Sequence, residues 1–258
     1  MFELFSDIYA GRGNRFTRMD ARAKLFAAAI TLAAVIAAPG PALPFVVWAL
    51  CVIALLSIRI QTKMIALRMA PALSMAAVLL VLNMFMLGTT PVAHLGIGVW
   101  RLAVMKEGLN QGIQLGARVM GATGVLIFLG FTTPAHRLFQ ALRWYGAPES
   151  WVELALSVYR QIFTLIDAAS DMYAAQRVRL GYADARRAVV SAGVLAGSVL
   201  LRSMEQAART HEAMLARGYA GNTVMGPLPQ MAKADAAVAI LWAAAVLSAL
   251  GVVLKMGL

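Results

Sequence analysis

Residues 176–182 read QRVRLGY and residues 213–219 read AMLARGY, two similar stretches in different parts of the chain. Small and apolar residues recur at helical spacing in and before both, which predicts two narrow amphipathic helices. The positions are Ala168, Met172, Ala175 and Arg179 for the first helix and Met204, Ala208, His211, Leu215 and Gly218 for the second. Gly181 and Gly218 are predicted as helix stops, because glycine adopts the left-handed conformation that helix ends often need. Arg179 and Arg217 are thereby placed at helix C-terminal ends.

An arginine near a helix C-terminus has an ordinary explanation, since a cation there complements the negative end of the helix macrodipole. That explanation suffices for Arg179 or Arg217 taken singly. The repetition of the arrangement, in a chain that is otherwise very apolar, favours a functional role for the pair.

The composition is that of a polytopic membrane protein. Of the 258 residues, 61% are hydrophobic and 14% are charged, whereas soluble domains carry about 25% charged residues. The net charge of +11 is explained by the Lys and Arg that cytoplasmic loops collect, so no nucleic-acid partner is expected. The single cysteine, Cys51, lies in an apolar run and can form no disulfide within the chain, which predicts a packing role.

Five stretches are apolar enough to cross a bilayer, which takes roughly 20 residues. They are residues 25–38, 42–58, 69–87, 109–131 and 236–254. Residues 1–24 carry five basic residues and no apolar core, so the first span is expected to act as its own insertion signal. The sequence thus predicts an all-α fold with about five transmembrane helices and a helical cytoplasmic domain.

The distribution of Lys and Arg orients these spans. There are five in the N-terminal segment, none at 39–41, three at 59–68, two at 88–108 and eleven at 133–235. The positive-inside rule places the N-terminus and the 133–235 region in the cytoplasm, with the chain in the cytoplasmic (inner) membrane. Two apolar segments of that region, 151–166 and 189–201, are predicted as packed helices of a cytoplasmic or interfacial domain. Whether either one crosses the membrane stays open.

This orientation suggests three domains. Residues 1–132 form an N-terminal bundle of four spans, residues 133–235 form a cytoplasmic domain with two arginine-tipped helices, and residues 236–258 form a C-terminal transmembrane helix. The fourth span carries Gly108, Gly112 and Gly116 at four-residue spacing. Small residues in such a row let helix backbones approach closely, which predicts a helix–helix seam. Arg118, on the same helix, is expected to face carbonyl groups of the bundle or a headgroup layer; a role in a substrate path is the alternative.

No catalytic, nucleotide, metal or cofactor site is predicted. The chain lacks the P-loop pattern and H-E-x-x-H, and none of its twelve acidic residues lies within the five spans. Two alternatives stay open at this stage. A membrane-embedded enzyme would use Asp167 and Asp171, four residues apart on a helix, to hold a divalent ion. A self-sufficient permease would need the intramembrane acids that the spans do not contain.

Several separated motifs give the chain a family resemblance. Residues 20–25, DARAKL, resemble the D-P-R-x-K-L motif with which the T component of energy-coupling factor (ECF) transporters begins its first span, with Ala21 in place of proline. Thr132-Thr133-Pro134 and Tyr159-Arg160 resemble further motifs of that family. The two arginine stretches resemble its coupling signatures, Val178-Arg179-Leu180 in a form similar to cobalt-type members and Ala216-Arg217-Gly218 in the common form. The chain therefore resembles the CbiQ-type subunit of cobalt uptake systems.

The resemblance implies a non-catalytic role in an ABC-type importer, with Co²⁺ for cobalamin synthesis as the cargo and nickel or a vitamin as the alternative. It implies two ABC-type ATPase subunits (CbiO-like) as partners, each docking one arginine tip. It also implies a substrate-binding membrane subunit (CbiM-like) and a small membrane subunit (CbiN-like). The resemblance makes residues 133–235 the cytoplasmic coupling domain. The ATPase-coupling residues carried over to it are Val178, Arg179, Leu180, Ala216, Arg217 and Gly218.

Overall fold

The computed structural model describes residues 19–58, 60–86, 91–97, 100–219 and 231–256. Within them the chain is almost wholly helical, which confirms the all-α prediction. The elements in order are α1 (Ala21–Ala37), α2 (Ala42–Ser57), α3 (Thr62–Met86), β1 (Pro91–Ile97), β2 (Trp100–Met105), α4 (Lys106–Thr132), α5 (Ala135–Trp144), α6 (Glu149–Val178), α7 (Ala185–Ala216) and α8 (Lys233–Met256).

Four helices are long and apolar enough to cross a membrane by length and composition: Thr62–Met84, Glu107–Thr132, Ala185–Ala216 and Lys233–Lys255. Helix α2 is apolar but shorter. Its exposed face carries Phe45, Val46 and Ile53. A helix that is apolar on its exposed face as well as its buried face is typical of one surrounded by lipid. The protein is therefore a polytopic membrane protein, as the composition predicts.

The chain divides into two compact units. The first comprises Met1–Ala141 and Gln230–Leu258, and the second comprises Leu142–Pro229. The predicted coupling domain at 133–235 is somewhat wider than this second unit. The division leaves the two arginine stretches together in the second unit, while α1 to α4 and α8 belong to the first.

Helix α4 is the centre of the first unit and packs against α1, α2 and α3. One apolar cluster joins α4 to α2, α3 and the turn between those two, through Leu55, Ile65, Met69, Met120 and Phe131 among others. A second cluster joins it to α1 and α2 through Val35, Leu43, Val47 and Val125. Burial of these side chains orders the helices around α4, since each large apolar chain removed from a polar environment contributes about 1.5–3 kcal/mol.

The glycines of α4 lie where neighbouring backbones approach it most closely. A Cβ on Gly112 would lie 3.0 Å from the Leu80 Cα, and one on Gly116 would lie 3.6 Å from the Ala76 Cβ, so this part of the row faces α3. Gly108, at the start of the row, is buried. One turn further on, a Cβ on Gly121 would lie 2.9 Å from the Pro44 carbonyl oxygen of α2. The partners of the predicted seam are thus α3 and then α2.

Gly121→Ala is expected to lower the thermal unfolding temperature in detergent. Its methyl group would meet a backbone oxygen that cannot swing aside, and overpacking of this kind destabilises by about 1–3 kcal/mol. Gly130→Ala is the matched control on the same helix, because a Cβ there has no atom within 4 Å. It should leave the unfolding temperature unchanged or raise it. Equal losses in both variants would contradict the close approach of α2 and α4.

Arg118 and Gln114 of α4 bind the turn between α1 and α2. The Arg118 Nη2 donates to the Ala38 carbonyl oxygen over 2.7 Å, and the Gln114 Nε2 donates to the Pro39 carbonyl oxygen. The carbonyl groups at the end of a helix lack partners within the helix, so side-chain donors stabilise them. The structure thus places Arg118 on bundle carbonyls, the first of the two roles predicted for it.

Two of the motifs quoted above meet at the opposite end of α1. The Lys24 Nζ donates to the Thr132 carbonyl oxygen over 2.9 Å, and both residues are buried. The Asp20 side chain accepts from the Arg22 backbone N–H and so caps α1. The Asp20 backbone N–H in turn donates to the Asp235 carboxylate of α8 over 2.9 Å. These bonds tie the beginnings of α1 and α8 to the end of α4.

Two details differ from the sequence-based expectation. Helix α3 begins at Thr62, not at 69, and Arg68 in its added turns lies with its guanidinium carbon 4.5 Å from the centre of the Phe131 ring. Charged residues in this first part hide it from a search for apolar spans. Between α3 and α4, where a loop is expected, β1 and β2 pair as an antiparallel hairpin.

In the second unit, α6 and α7 are long helices of 30 and 32 residues that pack against each other. The apolar segment 151–166 is part of α6, and the segment 189–201 is part of α7. Among the described residues none of α7 is buried, and its large exposed chains include Val189, Val190, Val194, Leu200 and Leu201. That α7 lies in a cytoplasmic or interfacial domain stays a prediction, because its length and composition would also allow it to cross a membrane.

Candidate functional site

The first arginine stretch forms a complete helix-ending motif, which we call the first tip (residues 176–182). Helix α6 ends at Val178 and Arg179 is its C-cap. The Gly181 N–H donates to the Gln176 carbonyl oxygen over 2.9 Å, and the Leu180 N–H donates to the Arg177 carbonyl oxygen over 3.1 Å. This pair of backbone hydrogen bonds is the Schellman motif, which satisfies carbonyl groups that a helix end leaves unpaired.

The left-handed residue of the first tip is Leu180, with a φ of 57°. The prediction that Gly181 takes this position is therefore wrong; Gly181 lies one residue later. The reason is a tertiary contact, because a Cβ on Gly181 would lie 2.6 Å from the Ser191 Oγ and 3.0 Å from the Gln176 carbonyl oxygen. Glycine is needed at position 181 because α7 approaches closely there, and the left-handed position of the turn is occupied by Leu180. A left-handed L-residue costs about 1–2 kcal/mol relative to the right-handed form.

The second tip (residues 214–219) ends α7 in the same way. Arg217 is the C-cap, the Gly218 N–H donates to the Leu215 carbonyl oxygen over 2.9 Å, and the Tyr219 N–H donates to the Met214 carbonyl oxygen over 3.0 Å. Gly218 is the left-handed residue, with a φ of 81°. The structure therefore places a glycine at the predicted stop of the second tip.

The two arginines occupy equivalent positions, because each is the C-cap residue of a Schellman motif. Both are exposed. Carbonyl groups of each last turn already accept backbone N–H donors. Within the described part of the chain, neither Arg179 nor Arg217 takes part in an ion pair such as those that join Arg143 to Glu149 and Arg209 to Glu205. Two guanidinium groups with five N–H donors each are thus available for a partner molecule.

Three side-chain contacts hold the first tip in place. The Ser191 Oγ of α7 donates to the Gly181 carbonyl oxygen over 2.9 Å. The Tyr182 hydroxyl donates to the Gln176 Oε1 over 2.8 Å, and the Tyr182 ring lies 4.9 Å from the Tyr173 ring, centre to centre. None of these three contacts is predicted from the sequence. The repeated Gly-Tyr pair is the one sequence signal that includes residues of these contacts, Gly181 and Tyr182.

The tips differ in the side chains beside the arginine. Val178 and Leu180 of the first tip are 84% and 65% exposed. The corresponding residues of the second tip are Ala216 and Gly218, which carry a methyl group and a hydrogen. The first tip therefore presents two exposed arginines, Arg177 and Arg179, with a large aliphatic chain on each side of Arg179, whereas the second tip presents Arg217 between small residues.

The described residues contain no group of three or more His, Cys, Asp or Glu side chains that could hold a metal ion. Asp167 and Asp171, the pair on which the enzyme alternative depends, lie within α6 and are not part of such a group. The two arginine tips stay the predicted partner-binding residues.

Sequence comparisons relate this chain to known proteins. The family model described as CbiQ, cobalt transport protein, matches residues 13–227. The cobalt transport protein CbiQ of Rhodobacter capsulatus is 32% identical over 125 residues, which are 48% of this chain and 51% of that protein. The putative fused cobalt transport protein CbiMQ of Methanocorpusculum labreanum is 27% identical over 191 residues, 72% of this chain and 32% of that protein.

An uncharacterized protein of Methanocaldococcus jannaschii is 28% identical over 170 residues, which are 66% of this chain and 63% of that protein. These alignments thus span between about a third and two thirds of the relatives' own lengths. The family match, in contrast, covers most of this chain and includes both arginine tips. The chain belongs to the CbiQ family of cobalt transport proteins.

Proposed function

We propose that this chain is the transmembrane coupling subunit of an ECF-type cobalt importer. Its first unit lies in the cytoplasmic membrane with the N-terminus inside, and its two arginine tips each dock on one ABC-type ATPase subunit. The observation that carries the proposal is the equivalence of Arg179 and Arg217, two exposed cations at matched positions on the ends of two long helices. Family membership supports cobalt as the cargo, with nickel or a vitamin as the alternative.

The proposed mechanism is mechanical. ATP binding draws the two ATPase subunits together, and the tips move with the surfaces on which they dock. At 1.5 Å per residue, helices of 30 and 32 residues carry that displacement over about 45 Å. An arginine is suited to the contact because its planar guanidinium makes directional, charge-assisted hydrogen bonds to carboxylate or carbonyl oxygens.

A substrate-binding membrane subunit of the CbiM kind is proposed at the other end of the relay. A relative whose name describes a CbiM–CbiQ fusion supports this partner. Exposed apolar chains on α6 (Trp151, Leu154 and Val158) and on α7 (Leu200 and Leu201) would supply a contact surface for such a subunit and for lipid. A small subunit of the CbiN kind is proposed only from the family resemblance.

Reconstitution tests the proposed function. Vesicles containing the CbiM-like subunit, any CbiN-like subunit and the ATPases are prepared with and without this chain, and ATP-dependent accumulation of radioactive Co²⁺ is measured. Accumulation is expected only when the chain is present. Excess Ni²⁺ as competitor distinguishes the two metals. Equal accumulation in the absence of the chain would contradict a coupling role.

A further inference from the structure

The backbone of Leu180 adopts a strained conformation, and the turn does not require a leucine at this position. Among the described residues it is the single non-glycine residue with a positive φ. Leucine has no polar side-chain atom to stabilise the left-handed conformation, as asparagine or aspartate has. The second tip shows what the same turn requires, because it places Gly218 at the equivalent position and makes the same two backbone hydrogen bonds. A glycine at 180 would thus form this helix end without strain.

Packing within the described chain does not explain the leucine either. Its side chain is 65% exposed, and neither apolar cluster of the protein includes it. Single exposed apolar residues are common on protein surfaces and need no special account. Leu180 differs from them because its presence strains the backbone, and residues held in sparsely populated conformations concentrate at functional sites.

Hydrogen bonds hold the backbone segment that carries the Leu180 side chain. The bond from Ser191 to the Gly181 carbonyl and the bond from Tyr182 to Gln176 fix the residues on both sides of it. A partner that binds the first tip therefore has little backbone to order, and ordering of this kind is one of the main free-energy costs of association. Arg179 next to it adds a cation, so the matching surface combines a nonpolar pocket with acceptor oxygens at its edge.

We propose that Leu180 is the apolar anchor of the first tip, and that its side chain fills a nonpolar pocket on one ATPase subunit. The inference rests on the proposed function, from which the identity of the partner is taken. It makes the two tips unequal: the first holds its ATPase by an aliphatic anchor and a cation, and the second by a cation between small residues. The strained backbone at Leu180 persists because glycine, which would relieve it, would remove the anchor.

The test separates stability from binding. The full chain with Leu180→Gly is purified in detergent, and its thermal unfolding and its affinity for the ATPase subunit are compared with those of the native chain. The unfolding temperature is expected to be unchanged or higher, while the dissociation constant rises about tenfold, the scale of losing one buried leucine at an interface. Leu180→Met, which keeps an aliphatic chain, is expected to stay within threefold of the native affinity. Val194→Ala, at an exposed aliphatic residue of α7 outside both tips, is the matched control and should also stay within threefold.

Native affinity in Leu180→Gly would overturn the proposal and leave Leu180 a residue of the helix end alone. If Leu180→Gly lowered the unfolding temperature, the ATPase affinities of Leu180→Asn and Leu180→Met would be compared instead. Asparagine tolerates the left-handed backbone but cannot fill a nonpolar pocket. Weaker binding by the asparagine variant supports the anchor, and equal binding by both variants overturns it. Failure of the native chain itself to bind the ATPase would count against the proposed function and, with it, against this inference; binding by the native chain and Leu180→Gly alike would count against the anchor alone.

Discussion

ATP-dependent cobalt uptake is expected to fall by at least about a hundredfold when Arg179→Glu and Arg217→Glu are combined. Truncating one partner of a buried interfacial charge pair costs about 2–5 kcal/mol, and charge reversal adds repulsion against the acceptor groups of the ATPase. Each single variant should retain part of the activity, because the other tip still docks. Uptake of radioactive Co²⁺ into vesicles or cells measures the effect.

The matched control is Arg186→Glu combined with Arg187→Glu. These two exposed arginines lie in the first turn of α7, in the same unit, and their reversal changes the net charge by the same amount. The control should transport at close to the native rate. Comparable losses in both double variants would attribute the defect to the overall charge of the unit and would contradict a specific role for the tips.

Gly181→Ala is expected to reduce uptake roughly thirtyfold, although the residue itself contacts no partner in the proposed mechanism. The new methyl group would lie 2.6 Å from the Ser191 Oγ and 3.0 Å from the Gln176 carbonyl oxygen. Overpacking of this size costs about 1–3 kcal/mol and forces a backbone shift, so Arg179 and Leu180 would be displaced together. The same vesicle assay measures the effect.

Ser191→Ala provides a second arm for this experiment. It removes the oxygen nearest to the added methyl group, so uptake by the double variant Gly181→Ala with Ser191→Ala should recover in part. Gly197→Ala on α7 is the control, because a Cβ there has no atom within 4 Å, and native activity is expected. Full activity in Gly181→Ala alone would show that close packing of the first tip against α7 is unimportant for transport.

The sequence predicts the helical class and three of the four long apolar helices, because run length and polarity are local properties of the chain. The other two predicted spans form α1 and α2, helices of 17 and 16 residues that are not among those four. The glycine row also points correctly to a close approach by α4, while the identity of the facing helices depends on tertiary packing that no local pattern contains. The start of helix α3 is predicted too late, because Lys63 and Arg68 make its first two turns too polar to be recognised as part of an apolar span.

The first tip shows a different limit. Both stretches contain Gly-Tyr, and alignment on that pair makes Gly181 the equivalent of Gly218. The structure instead aligns the stretches on their arginines, which makes Leu180 the equivalent of Gly218. A local rule assigns the left-handed position to glycine because of its low strain. Position 181 requires glycine because Ser191 approaches it closely. Ser191 lies on another helix, so this requirement could not be predicted from the local sequence.

Direct binding to the ATPase tests the central claim, that the two arginine tips are the docking elements. The full chain and its Arg179→Glu, Arg217→Glu double variant are purified in detergent, and co-purification with the ABC-type ATPase subunit of the same organism is compared, with the Arg186→Glu, Arg187→Glu variant alongside. The native chain and this control should retain the ATPase, and the tip variant should lose it. Equal retention by all three would contradict docking through the tips.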